Sequence, residues 1–312
     1  MTTRNGDRYL DVYYITRDSI KIQSLVKTVL ANIGSVEANY LIHRAKAVIY
    51  RNGSFDCERA TQEAISQALD QQLIEDMKAI KVLDTGLWMI KDNACHFDRA
   101  WITGTIGGLT VINNNVWAAR HSCSDGTFRE VAFSSDEMKL ARSIRRPIAA
   151  HLSGTGRPTI LGKGSLRYQR FEYFIAAART TIDVAVKIAE YCSGLEALVS
   201  TSQHELSHQV SERVAAVLVS PGAKRIAIYK LVKKAYGFRS KTVHGASFKP
   251  AEVDQLRDCA KDIDNICRAL NMLYHDKDGS FRSAVEGSDQ ISTDFFMEAI
   301  LDTREVKDLI EL

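Results

Sequence analysis

Two clusters in the second half of the chain carry side chains of the types that do chemistry. The first, His204-Glu-Leu-Ser-His208, matches H-E-x-x-H. Imidazoles at i and i+4 on one helical face can bind zinc, with Glu205 as general base toward a metal-bound water. Its context argues the other way. Ser211 and Val214 stand where a metzincin needs Gly and His, and the nearest further carboxylate, Glu252, lies beyond a Gly- and Pro-punctuated turn. Ser202-Gln-His-Glu205 also spells a capping box, in which the serine accepts from the Glu205 backbone and the glutamate reaches back. The second cluster, Phe238-Arg-Ser-Lys-Thr-Val-His-Gly245, holds Arg239 and His244, a pair that is weak alone. Its surroundings carry more. From Lys224 to Lys249 there are eight Lys and Arg and no acid, the electrostatic footprint of a polyanion site. On a helical wheel Lys230, Lys233 and Lys234 lie opposite the apolar stripe of Ile228, Leu231, Val232 and Ala235, which also fits a merely solvated face.

These residues need a scaffold, and the chain has ordinary globular proportions: 312 residues, 45% hydrophobic, 25% charged, 18 Gly and 4 Pro. No run approaches the roughly 18 to 20 apolar residues of a membrane span, and Met1 to Asp11 lacks a signal-peptide core. A cytoplasmic protein with no membrane partner is expected. Six cysteines without a C-x-x-C pair argue against a zinc ribbon or a disulfide scaffold and read as free buried thiols. The net charge of +3 divides into +3 for residues 1 to 223, +8 for 224 to 249, and −8 for 250 to 312, where 15 acids face 7 bases. The acidic end is expected to pack beside the basic site and restrain it.

The pattern predicts an α+β fold: a mixed amino-terminal domain over 1–152, a Gly-rich linker over 153–165, a helical bundle over 166–275 and an acidic segment over 276–312. Strands are expected at Tyr9 to Thr16, Asn39 to His43, Ala47 to Tyr50 and Phe128 to Phe133, and a hairpin at Trp101 to Ile112. Ile65, Leu69, Leu73, Met77 and Ile80 recur at helical spacing. Gly162-Lys163 is not a Walker A loop, because position 157 is Arg and Gly164 follows the lysine. From Leu166 on the periodicity is helical, in stripes over 171–189 and 253–270, with Ser220-Pro221 as an expected helix start.

Three blocks in order, Gly194-Leu-Glu-Ala-Leu-Val-Ser200, Glu205-Leu-Ser-His208 with Ser211-Glu-Arg213, and Ala235-Tyr-Gly-Phe-Arg-Ser-Lys-Thr-Val-His-Gly245, resemble the Apea-like branch of the HEPN superfamily. The likeness covers about residues 166 to 275; Leu87-Trp-Met-Ile-Lys-Asp-Asn93 is similar to a segment that often precedes such domains. The resemblance implies a dimerising helical bundle that acts as a metal-independent endoribonuclease in antiphage defence or a toxin system, without cofactor, and with a phage-derived trigger or regulatory partner at the amino-terminal domain. It places the motif on Arg239 and His244, with Glu205 or Glu196 as the supporting acid and Glu205 preferred. Imidazole can take the ribose 2′-OH proton or protonate the leaving oxygen, an effect of ~10²- to 10⁴-fold, while the guanidinium clamps the phosphate. RNA contacts are expected from Ser240, Lys241, Lys230, Lys233, Lys234 and Tyr236, the last also fitting a core position. His208 and Arg213 fit a buried pairing with Glu212 or another carboxylate as well as catalysis. Ala246 stands where nucleotide-silenced relatives carry Tyr, which speaks against that control. Five positions along one helix separate Arg239 from His244 by roughly 140°, so convergence calls for a helix end at Gly237 or a second copy facing the first.

Overall fold

The computed structural model describes residues 13–28, 33–97, 99–116, 120–149, 164–302, 304, 306 and 308–310. The chain is α+β and falls into two compact units. The first holds the described residues within Met1–Asp84, Phe97–Ala118 and Ile148–Leu152; the second holds those within Thr85–His96, Ala119–Pro147 and Ser153–Leu312. The linker predicted over 153–165 lies outside the described residues except for its last two.

In the first unit β1 (Tyr14–Thr16) pairs antiparallel with β2 (Val48–Tyr50), and α1 (Ser19–Thr28) and α2 (Ser35–His43) lie between them in sequence. The strand expected at Asn39 to His43 is the end of α2 instead; Leu41 is buried there, and a helical turn lets one apolar side chain pack without a partner strand. Helix α3 (Gln62–Ile90) sets Ile65 and Leu69 against Val111 of the hairpin formed by β3 (Arg99–Ile106) and β4 (Leu109–Val116). Gly107 and Gly108 close that hairpin with φ of 56° and 83°, the left-handed region that favours glycine.

The second unit contains α3 from Thr85 on, α4 (Ser135–Ala149) up to Pro147, α5 (Arg167–Thr180), α6 (Val184–Val199), α7 (Leu206–Leu218), α8 (Ala223–Val243), α9 (Val253–Tyr274), α10 (Ser280–Glu286) and α11 (Asp289–Ile300). Helix α6 packs on α5, α7, α8 and α9. Ile188, Cys192, Leu195 and Leu198 of α6, Ile228, Val232 and Ala235 of α8, and Ile263, Ile266 and Leu270 of α9 are all fully buried in this core. The apolar stripe over 171–189 is interrupted at Thr181 to Asp183, where Asp183 caps α6 by accepting from the Val186 N–H at 3.0 Å. Ser220 is not a helix cap: its N–H donates to Asp308 and its hydroxyl to the Val306 carbonyl, so the turn runs on to Gly222. Phe128 to Phe133 forms no strand; the chain there follows a loop tied down by Ser122 N–H to the Arg179 carbonyl and Cys123 N–H to Thr127, with no neighbouring strand to pair with. All six cysteines are free; Cys123, Cys192, Cys259 and Cys267 are buried and Cys57 and Cys95 half-buried.

A polar knot sits in the apolar core of this unit. The fully buried Asp264 accepts from Trp88 Nε1, Tyr191 Oη and Arg268 Nε, each at 2.9 Å. Burial, then the charge of Asp92, raises the Asp264 carboxyl above its usual range. Lys187, also fully buried, donates to the Ala178 carbonyl at 2.7 Å in the last turn of α5, and burial pushes its ammonium down to about 8.

Candidate nucleic-acid interface on helix α8

Up to Val243 the acid-free basic run folds as one 21-residue helix, roughly 30 Å long, which carries all of its cations but Lys249. At the amino-terminal end Lys224 pairs with Asp308 at 3.2 Å, and Arg225 donates to the carbonyls of Ala216, Val219 and Ala299, occupying groups that the ends of α7 and α11 leave unsatisfied. Near the other end Arg239 forms an ion pair with Glu196 of α6 at 3.4 Å, and Lys241 forms one with Glu252. Lys241 and the Lys249 backbone N–H together hold the Glu252 carboxyl below its usual range.

Lys230, Lys233 and Lys234 differ. They are exposed, and no ion pair to them exists among the described residues. At 100° per residue these lysines, Gly237, Ser240, Lys241 and His244 fall within an arc of roughly 120°. A Cβ at Gly237 would meet nothing within 4 Å. The face therefore presents a groove-free basic track with a glycine in its middle and an imidazole at its end.

Helix α8 runs straight through Gly237, so the helix end expected there does not occur. It stops at His244 instead. The Gly245 N–H reaches the Thr242 carbonyl at 3.3 Å and the Ala246 N–H the Lys241 carbonyl at 2.9 Å, with Gly245 at φ 71°; this is a Schellman closure, and it explains the glycine. His244 caps the helix with an exposed side chain, while Arg239, roughly 140° away around the axis, turns toward α6. One chain thus keeps the two motif residues on different faces.

The carboxylate that pairs with Arg239 is Glu196, in the first of the three sequence blocks, and not Glu205. Glu205 is exposed, adopts a left-handed backbone (φ 50°) and precedes α7 without a side-chain cap. The capping box does not form, because the Ser202 hydroxyl accepts from the His204 N–H at 3.0 Å instead. Helix α7 starts only at Leu206, so His204 and His208 do not share a helical face, and His208 Nδ1 is engaged with the Tyr229 hydroxyl at 2.9 Å. Arg213 forms no ion pair among the described residues; it donates to the Val199 carbonyl and the Thr201 hydroxyl and lies over the Phe296 ring. Tyr236 is buried beside Arg239 and Glu196, so its ring belongs to the core and offers no stacking surface. Burial, then the Glu196 charge, raises its phenol. Ser240 is exposed on the basic track.

The carboxyl-terminal segment meets the start of α8 through Asp308 at Lys224 and the Ala299 carbonyl at Arg225, and Asp308 also takes the Ser220 N–H just before the helix, all at the end remote from His244. The acids nearest the motif come from α6 and from the 3₁₀ turn Pro250–Glu252. The Tyr229 to His208 contact had no signal in the sequence, since 21 residues of unrelated pattern separate its partners. Comparisons with protein-family models, with curated proteins and with solved structures find no match. Among the described residues no helix is long and apolar enough to cross a membrane.

Proposed function

We propose that the chain is a metal-independent endoribonuclease of HEPN type, cytoplasmic and homodimeric, serving antiphage defence or a toxin system, with the first unit answering a trigger. The observation that carries this reading is the exposed face of α8, where three lysines that form no ion pair among the described residues lead to the His244 imidazole. Unneutralised cations repel one another, and an anionic strand relieves that repulsion while bringing its phosphates to the histidine. His244 then exchanges a proton with the 2′-OH or the leaving 5′-oxygen. Arg239, held by Glu196 on the neighbouring face, supplies the phosphate clamp to a strand that bends over the edge of α8 or to the active face of a second copy. The three-block resemblance supports the same assignment. Incubating the purified protein with total RNA, with and without EDTA, and mapping the ends tests it: 2′,3′-cyclic phosphate ends formed equally in both arms are expected, and abolition by EDTA overturns the metal-independent mechanism.

The divergence of Arg239 and His244 favours a second reading, a non-catalytic RNA-binding and dimerising module. RNA affinity retained in His244→Ala with no cleavage by the parent protein would select it.

A further inference from the structure

The first unit carries an aromatic and basic patch that no part of the α8 site uses. Tyr14 and Tyr50 are direct cross-strand partners, so both rings emerge on one face of the β1–β2 pair, where they stack with centroids 5.4 Å apart at 26°. By strand alternation Tyr13 and Arg51 belong to the opposite face. They are fastened to Asp76 of α3, the Tyr13 hydroxyl at 2.6 Å and Arg51 Nη2 at 2.9 Å. That anchorage fixes the sheet and leaves the other face to the tyrosine stack. Lys21 of α1 stands over the Tyr50 ring at 5.6 Å. Tyr14 remains 60% exposed, an unusual amount for an aromatic residue already engaged in a stack. Arg17 is exposed in the turn that follows β1. Residues 13 to 51 hold six Lys and Arg against two acids.

We propose that this face is a stacking platform for an unpaired nucleotide of single-stranded RNA. An open ring extended by a second ring takes a base of any identity, and the cations beside it meet the adjoining phosphates. Lys21 over the Tyr50 ring and the exposed Arg17 favour an anionic nucleic acid over a neutral or basic peptide. Only the ligand class rests on the ribonuclease reading; the patch is separate from His244 and is tested without cleavage.

The test is ultraviolet crosslinking of the full-length His244→Ala protein to a single-stranded uridine oligonucleotide, with the crosslinked peptides mapped, and affinities measured alongside for Tyr14 variants. A crosslink on the Tyr14 or Tyr50 peptide is expected, with Tyr14→Ala weakening binding by about 5- to 150-fold, the span of one base–aromatic stack, and Tyr14→Phe within about 2-fold of the parent. Crosslinks confined to α8, or equal affinity in Tyr14→Ala, overturn the platform and leave the ribonuclease reading standing. Crosslinking at Tyr14 in a protein whose parent never cleaves RNA upholds the platform and sinks the other. Binding of the patch to anionic phosphatidylserine vesicles, with none to the oligonucleotide, overturns it in favour of a membrane contact.

Discussion

Around Asp264 three donors converge on one fully buried carboxylate, whereas along α8 three lysines and a histidine stand in solvent, the lysines in no ion pair among the described residues. Both clusters are charged and both belong to the helical unit. In the first, every bond is directional and local, so its removal leaves unpaired donors in the core and is felt as lost stability. In the second, no ion pair among the described residues takes up the charge; only Lys234 has internal company, over the Phe238 ring and within electrostatic reach of Asp262. Cations kept together without ion pairs cost some stability through self-repulsion, which an external anion would relieve. The neighbours Lys224, Arg225, Arg239 and Lys241 on the same helix show the contrast at close range, because each has an acid or carbonyl partner.

That contrast is open to four attacks. The largest effect is expected from Asp264→Ala, which strands Arg268, Trp88 and Tyr191: a loss of about 3 to 5 kcal/mol in denaturant unfolding, with RNA affinity of the folded protein unchanged. A loss under about 1 kcal/mol would mean the core tolerates the stranded donors. Next, replacing Lys230, Lys233 and Lys234 together by Gln is expected to leave the melting temperature within a few degrees and to reduce the log–log salt slope of RNA binding by about two, from about 0.7 per phosphate contact on a single strand. An unchanged slope would make the track a solvated surface only.

Lys187 gives a smaller effect with a definite sign. Its folded value of about 8 lies below the ordinary 10.5, so between those limits the unfolded chain binds the additional proton and stability rises with pH. The difference in unfolding free energy between the parent and Lys187→Met is expected to move by about 1 kcal/mol in favour of the parent from pH 8 to 9. Buried thiols, whose values are raised, oppose this trend in both proteins and cancel in the difference. A flat difference would show that Lys187 carries no such shift. The smallest effect belongs to Gly237→Ala, expected to stabilise by up to about 1 kcal/mol, since the site is open and helical. Gly237→Leu is then expected to keep the fold and weaken RNA binding; equal binding by the leucine variant would remove the need for close approach at that position.

The helical part of the fold was legible because its signals are local: apolar spacing marks α8 and α9, and Gly245 marks the end of α8. Long-range partners were not. Ser220 looked like a cap until Asp308, 88 residues away, claimed its N–H, and the hairpin-like run Phe128 to Phe133 had no strand to pair with. In the site, the basic track could be read directly, since the wheel already placed Lys230, Lys233 and Lys234 away from the core. That Glu196 and not Glu205 meets Arg239 has a physical reason: the backbone at Glu205 turns left-handed ahead of α7, and Glu196 reaches Arg239 across a helix-to-helix packing that spacing does not encode.

Catalysis at the exposed end of α8 stands or falls with His244. Single-turnover cleavage of a fixed RNA by the parent and by His244→Ala, with melting temperatures taken on the same samples, tests it most directly. The account predicts a rate loss of about 10²- to 10⁴-fold at an unchanged melting temperature. Equal rates in the two proteins would contradict it.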